Sequence, residues 1–285
     1  MALGDNSYGK AETRLLRVTR HGDRHEIRDL NVSIALSGDF EAVHLSGDNA
    51  NVLPTDTQKN TVFAFAKQAP IAEIEEFALR LARHFVDTCE PVHQARVEVE
   101  EYAWAPITVH GDPHPHSFVR TGTERRTATI THDPASTGVV GGLTDLVVLK
   151  SAGSEFWGFS KDRFTTLQET HDRVLATAVT AHWRFSTLDV QWAESFAGAR
   201  LALLETFAQH RSLSLQQTLY EMGKAVLEAR PEVVEVRLAL PNRHHFAVDL
   251  APFGLANDNE IFHAADRPYG LIEATVHRRA TIPAD

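Results

Sequence analysis

The chain has 285 residues, 43% hydrophobic and 23% charged, which fits one large or two medium globular domains. Its 28 Lys and Arg stand against 38 Asp and Glu, a net charge of −10, which argues against a general nucleic-acid binder because phosphate binding needs a basic surface. A few basic side chains lining one pocket would still suit a small anionic substrate. The single cysteine, Cys89, excludes an intramolecular disulfide and a cysteine-based zinc or iron–sulfur site. No basic patch followed by an apolar core opens the chain, and no run reaches the roughly 18 apolar residues of a membrane helix. The last residues, Pro283-Ala284-Asp285, are no peroxisomal tripeptide. A reduced, cytoplasmic protein with neither membrane nor nucleic-acid partners is expected.

The first half opens with strand patterns. Leu16 and Val18 alternate with Arg17 and Thr19, a second β-prone stretch covers Glu26–Leu36, and His21-Gly22-Asp23 between them is a turn signal. Residues 60–66 suit either a helix or a strand. Ile71, Ile74, Phe77, Ala78, Leu81, Ala82 and Phe85 then recur every three or four residues, predicting an amphipathic helix with Pro70 in its first position. Past Pro91, Arg96–Trp104 alternates as a strand, and Arg125–Thr131 predicts another.

The second half repeats the logic. Leu143–Lys150 reads as a buried strand and Thr180–Val190 as another. A helix is expected over Glu194–Gln209, with Phe196, Leu203, Leu204 and Phe207 inward. Ser214 and Gln217 form an S-x-x-Q capping box, and Leu215, Leu219, Met222 and Val226 give the next helix its apolar stripe. After Pro231 a strand over Val233–Leu240, a Pro241-Asn242 turn and a strand over His244–Leu250 are expected. Helix, proline and V-E-V-x strand thus occur twice, about half a chain apart. Two similar α+β domains follow, 1–138 and 139–285, each an antiparallel sheet with helices on one face, meeting in the small-residue stretch Pro134–Gly142.

Four constellations carry possible chemistry. His110, His114 and His116 have spacing that could suit a metal, but no H-E-x-x-H pattern accompanies them and they lie in a proline-broken stretch, so a polar loop that happens to be His-rich is expected. Thr55–Thr61 crowds hydroxyl, carboxylate and amine groups ahead of an apolar run, as a helix cap at Thr55 or Asp56 or as a pocket rim. A turn and a strand end could present Asn242 and His244 to a cleft, where a near-neutral imidazole can pass protons in either direction; His244 is also in phase with Phe246 as a half-buried sheet residue. Arg173 either pairs with Asp172 or Glu169 or clamps a planar anion with its forked donors, near the aromatic run at Phe156.

Together these pieces resemble the urate oxidases (uricases). The resemblance rests on Tyr8-Gly9-Lys10, Leu15-Leu16-Arg17-Val18, Thr55-Asp56-Thr57-x-Lys59-Asn60-Thr61, Phe156-x-Gly158-Phe159, Thr165 to Arg173, Leu240-Pro241-Asn242-x-His244-x-Phe246 and Ala265 to Ile272, in the family's order over nearly the whole chain. It implies two tandem tunnelling-fold (T-fold) domains per chain, homotetramers enclosing a barrel-like tunnel, and active sites shared between subunits. It implies oxidation of urate by O2 and water to 5-hydroxyisourate and hydrogen peroxide, with no cofactor and no metal. By the same resemblance Arg173 and Gln216 clamp the purine, Phe156 stacks on it and Leu215 gives a backbone contact. Thr55 and Asp56 reach it from a neighbouring subunit, Asn242 with Thr55 holds O2 and then water, and Lys10, Thr55 and His244 form a proton relay. A T-fold enzyme acting on another purine or pterin, and a non-catalytic binding module, are the competing readings.

Overall fold

A computed structural model describes residues 1–278; the expectation placed on Pro283-Ala284-Asp285 lies outside them. The chain divides into two compact units, one of Met1–Gly142 with Thr187–Ala193, the other of Leu143–Ser186 with Glu194–Asp285.

In the first unit β1 (Thr13–His21), β2 (Arg24–Gly38), β3 (Val92–Val109) and β4 (Asp112–His132) pair in that order, each antiparallel to the next. Strand β5 (Thr137–Lys150) begins here and runs on into the second unit. A short α1 (Glu41–Leu45) and α2 (Thr55–Gln68) precede α3 (Ile74–Thr88), which packs on β3 and β4. The reason is visible in α3 itself: Ile74, Phe77, Ala78, Leu81, Ala82 and Phe85 form one buried stripe. Opposite it, Val97, Val99, Ala128 and Ile130 point inward at every second residue. Arg126 of β4 fixes the start of the helix, meeting Glu73 and Glu75 at 2.7 Å each. That start corrects the sequence reading: Glu73 is the N-cap and Pro70 lies outside the helix, although Ile71 is buried.

The second unit places β6 (Leu175–Phe185), β7 (Val233–Arg243) and β10 (Gly270–His277) side by side, antiparallel. Helix α4 (Trp192–Gln209) buries Leu203 and Phe207, while Phe196 and Leu204 are only half-buried. Helix α5 (Leu215–Ala229) packs on β7 and β10 through Leu215, Leu219, Met222 and Val226. Its N-cap is Ser214, whose hydroxyl accepts from the Gln217 N–H at 3.1 Å. Strands β8 (His245–Ala247) and β9 (Phe262–Ala264) form a separate two-stranded ribbon.

Further expectations fail for identifiable reasons. Pro241-Asn242 is strand, not turn: Pro241 faces Leu271 of β10, and the β6–β7 ladder lapses at Leu240 and Pro241 before resuming at Asn242 opposite Thr177 in the same register. The proline removes a donor without ending the strand. The strand expected over Thr180–Val190 lies earlier, because polar residues from Ser186 onward leave the sheet and Ser186 hydrogen-bonds to Glu232 instead. Strand β5 is not buried throughout, since Val147 and Leu149 are exposed. The His-rich stretch is a hairpin rather than a loop: His110 and Gly111 take positive φ at the tip, and β4 starts at Asp112 with His114 and His116 on it. Those two rings meet edge to face at 4.5 Å. Among the described residues no group of three or more His, Cys, Asp or Glu is arranged to hold a metal ion, and no helix is long and apolar enough to cross a membrane.

Candidate active site

Lys10, Thr55 and Asp56 belong to the first unit; Phe156, Arg173, Leu215, Gln216, Asn242 and His244 belong to the second. Each group has its own scaffold.

In the first unit the segment ahead of β1 lies along β2. Tyr8 and Leu36 exchange backbone hydrogen bonds at 3.1 and 2.8 Å, and the Ile34 N–H donates to the Lys10 carbonyl at 2.8 Å. Only glycine permits that approach, because a Cβ on Gly9 would sit 1.8 Å from the Ile34 carbonyl oxygen. The Tyr8 hydroxyl donates to the Leu53 carbonyl at 3.1 Å and accepts from the Leu53 N–H at 2.8 Å, while its ring meets Phe40 edge-on at 4.7 Å. One side chain therefore ties the Lys10 segment to the turn from which α2 springs. The N-cap of α2 is Pro54, so neither Thr55 nor Asp56 caps the helix and both side chains project from its first turn. Asp56 is exposed and accepts from Lys59 and, at 3.0 Å, from Asn60. The Lys59 hydrogen bond and charge hold its carboxyl below the usual range, with a smaller pull from Lys10.

The bond from Tyr8 to Leu53 spans 45 positions and so leaves no local sequence signal. Tyr8→Phe is expected to lower stability by about 1–2 kcal/mol through the two lost hydrogen bonds, read as a fall in denaturant midpoint at constant slope. An unchanged midpoint would mean that the hydroxyl does not hold the segment.

In the second unit Phe156, Arg173 and His244 come together. The Arg173 guanidinium lies 5.2 Å from the Phe156 ring centre, and Phe159 stacks on that ring at 4.9 Å. The stack needs the tight turn at Gly158, whose φ is +70°. Arg173 is half-buried and pairs with neither Asp172 nor Glu169, the latter being held by Lys161 at 3.0 Å. Its Nε donates to Ser154 Oγ at 3.2 Å, and its two terminal nitrogens find no acceptor among the described residues. Burial pushes the guanidinium below its ordinary value. A half-buried cation without a carboxylate partner is costly unless an anion meets it. His244 is pushed down as well, first by burial and then by the Arg173 charge, which favours a neutral imidazole. Its ring stacks near Phe246 at 5.6 Å, and its carbonyl accepts from the Ala265 N–H at 2.9 Å.

Asn242 stands near the end of β7, two residues before His244 and directly across from Thr177. Thr177 is fully buried with an unpartnered hydroxyl, a feature that alternation marks only as an inward threonine. Gln216 is exposed in the first turn of α5, and Leu215, its first helical residue, has an N–H with no intrahelical acceptor. The second unit thus presents a forked cation, an aromatic face, free helix N–H groups, an amide and a neutral histidine. That set suits a planar, anionic, nitrogen-rich ring.

Comparison with known proteins agrees with that chemistry. The uricase family profile matches residues 6–131 and 139–273. The chain is 52% identical to the uricase of Arthrobacter globiformis over 281 residues, covering 99% of this chain and 91% of that one. It is 39% identical to the uricase of Dictyostelium discoideum, with 97% of each covered. The crystal structure of the Arthrobacter globiformis uricase superposes with a TM-score of 0.94 over 99% of this chain and 98% of that one. The α+β architecture is accordingly the uricase T-fold. On the match of sequence and fold along nearly its full length, the chain belongs to the uricase family, the urate oxidases of purine degradation.

Proposed function

We propose that the chain converts urate, O2 and water into 5-hydroxyisourate and hydrogen peroxide through the residues named above and without a cofactor. The observation that carries this reading is the half-buried Arg173 guanidinium, unpaired at its terminal nitrogens beside the Phe156 ring and His244. Arg173 and Gln216 hold the edge of the purine, the Leu215 N–H adds a backbone contact, and Phe156 lies against its face. The cation favours the deprotonated substrate, which is electron-rich enough to give electrons directly to O2. Overall urate loses two electrons and two protons, O2 becomes hydrogen peroxide, and water adds to the ring. Asn242 and Thr55 hold O2 and then water. Lys10, Thr55 and His244 move the protons, a chain that needs no redox activity of its own.

The relay members fall in different units. In this reading Lys10, Thr55 and Asp56 come from a neighbouring copy, so the working form is a homotetramer with its sites at subunit interfaces. The test is a peroxide assay with urate after exhaustive chelation. One hydrogen peroxide per urate, with loss of the near-ultraviolet absorbance of urate, is expected at the rate seen without chelator. Activity that disappears with the chelator and returns only with added metal would sink the proposal.

A further inference from the structure

Glu155 is a buried carboxylate that the mechanism leaves unused. It is 5% exposed, yet its oxygens accept from Trp157 Nε1 at 2.8 Å and from Arg211 Nε at 2.6 Å, with His171 Nδ1 3.5 Å away. All three partners are exposed at the surface, so the carboxylate is the inner end of each contact. The backbone around it joins three segments. The Glu155 N–H donates to the Ser212 carbonyl at 2.7 Å, and the Ser212 N–H donates to the Gly153 carbonyl at 3.0 Å. Phe156 and Thr170 exchange backbone bonds at 2.8 and 2.9 Å, and the Arg173 N–H donates to the Ser154 carbonyl at 2.9 Å. Ser212 continues the connection through its hydroxyl, which donates to the Ser214 carbonyl at 3.1 Å and accepts from Thr218 Oγ1 at 2.7 Å. Ser154, Ser212 and Thr218 are all fully buried.

From these contacts we infer that Glu155 is a positioning residue for the purine site, fastening the segment that carries Phe156 and braces Arg173 to the segment that leads into the first turn of α5. Phe156 is its chain neighbour, Arg173 hangs from Ser154, and Arg211 lies five residues before Gln216. The distance from the stacking ring and the guanidinium to the Leu215–Gln216 turn is therefore set at the Glu155–Arg211 contact and the Ser154–Ser212 junction. A charge-assisted contact at a buried carboxylate resists the small displacements that a neutral one tolerates. The inference rests on the reading of Phe156, Arg173 and Gln216 as the purine clamp.

The test is steady-state kinetics with urate together with binding of 8-azaxanthine, a non-reacting mimic. Glu155→Gln keeps size but loses the charge; it is expected to raise KM and the inhibitor dissociation constant in parallel by about fivefold or more, with kcat within about twofold. Arg211→Met, a change at the exposed end of the contact, should move KM the same way by a smaller factor. The double variant should be no worse than Glu155→Gln alone, because the two residues act through one contact. An unchanged KM in either single variant, a loss confined to kcat, or additive effects would overturn the inference. If Glu155→Gln fails to fold, Arg211→Met decides it on the same criterion. Arg173→Ala in the same assay separates the two levels. If that variant keeps inhibitor affinity, the purine-clamp reading fails and takes the inference with it. If it loses affinity while Glu155→Gln does not, only the inference fails.

Discussion

Arg173→Ala is expected to weaken binding of urate or 8-azaxanthine by at least about 30-fold, the equivalent of the roughly 2 kcal/mol at the low end for truncating one partner of a buried charged contact. The fold should tolerate the change. Arg173 contributes one side-chain hydrogen bond, to Ser154 at 3.2 Å, and its backbone bond to the Ser154 carbonyl survives the substitution, so about 1 kcal/mol of stability is at stake. Arg173→Lys should fall between, since it keeps the charge and loses the two-pronged donor geometry. His244 supplies an independent readout. Its protonation is opposed first by burial and second by the Arg173 charge. Removing that charge leaves the burial contribution, so the imidazole pKa should rise, and any acid limb of the pH–rate profile that reports it should move to higher pH. Titration calorimetry with the inhibitor measures the first effect, and the ring-proton chemical shifts of His244 against pH measure the second. Binding within about threefold of the parent would mean that the purine is not clamped at this guanidinium.

The sequence was most legible where a pattern was local and repeated. Helix α3 follows from its three- and four-residue spacing, and α5 from Ser214 and Gln217. Helix α2 was ambiguous because it buries only a narrow stripe, Gln58, Val62 and Ala66, behind an otherwise polar surface. At Pro241 the turn chemistry of a Pro-Asn pair competes with a strand that β10 holds at Pro241 and that β6 and β10 both hold at Asn242, and the sheet prevails. The same divide runs through the site. The identities of Arg173, Gln216, Asn242 and His244 were available from the family resemblance, whereas their residue chemistry alone left several roles open. What removes the competing structural duties is nonlocal. Pro54 takes the cap and leaves Thr55 and Asp56 without that duty. Lys161 takes Glu169 and leaves Arg173 without a carboxylate. Tyr8, Glu155 and Ser212 act through partners 45, 56 and 58 positions away in sequence, a range no periodicity reports.

Lys10→Met and Thr55→Ala are expected to divide turnover from binding. Each should cut kcat by about 100-fold or more, the usual yield of a positioned proton-transfer group, while 8-azaxanthine affinity changes by less than about threefold. The scaffold makes the experiment clean. Lys10 is anchored through its carbonyl, which accepts from the Ile34 N–H at 2.8 Å, so replacing the side chain leaves the segment in place. Thr55 does not cap α2, and alanine is a good residue for the first helical position. The Lys10 charge also contributes to holding the Asp56 carboxyl low, but the Lys59 hydrogen bond and charge contribute more, so Asp56 should stay ionised in Lys10→Met. Members of one proton chain lose their function together, because a break at either point stops transfer along the whole of it. The double variant should therefore be about as slow as the slower single variant rather than showing the product of the two losses. Stopped-flow turnover and equilibrium inhibitor titration on the three variants test this directly. Multiplicative losses in kcat would place Lys10 and Thr55 in separate steps, and affinity losses as large as the losses in kcat would make binding, rather than proton transfer, their main duty.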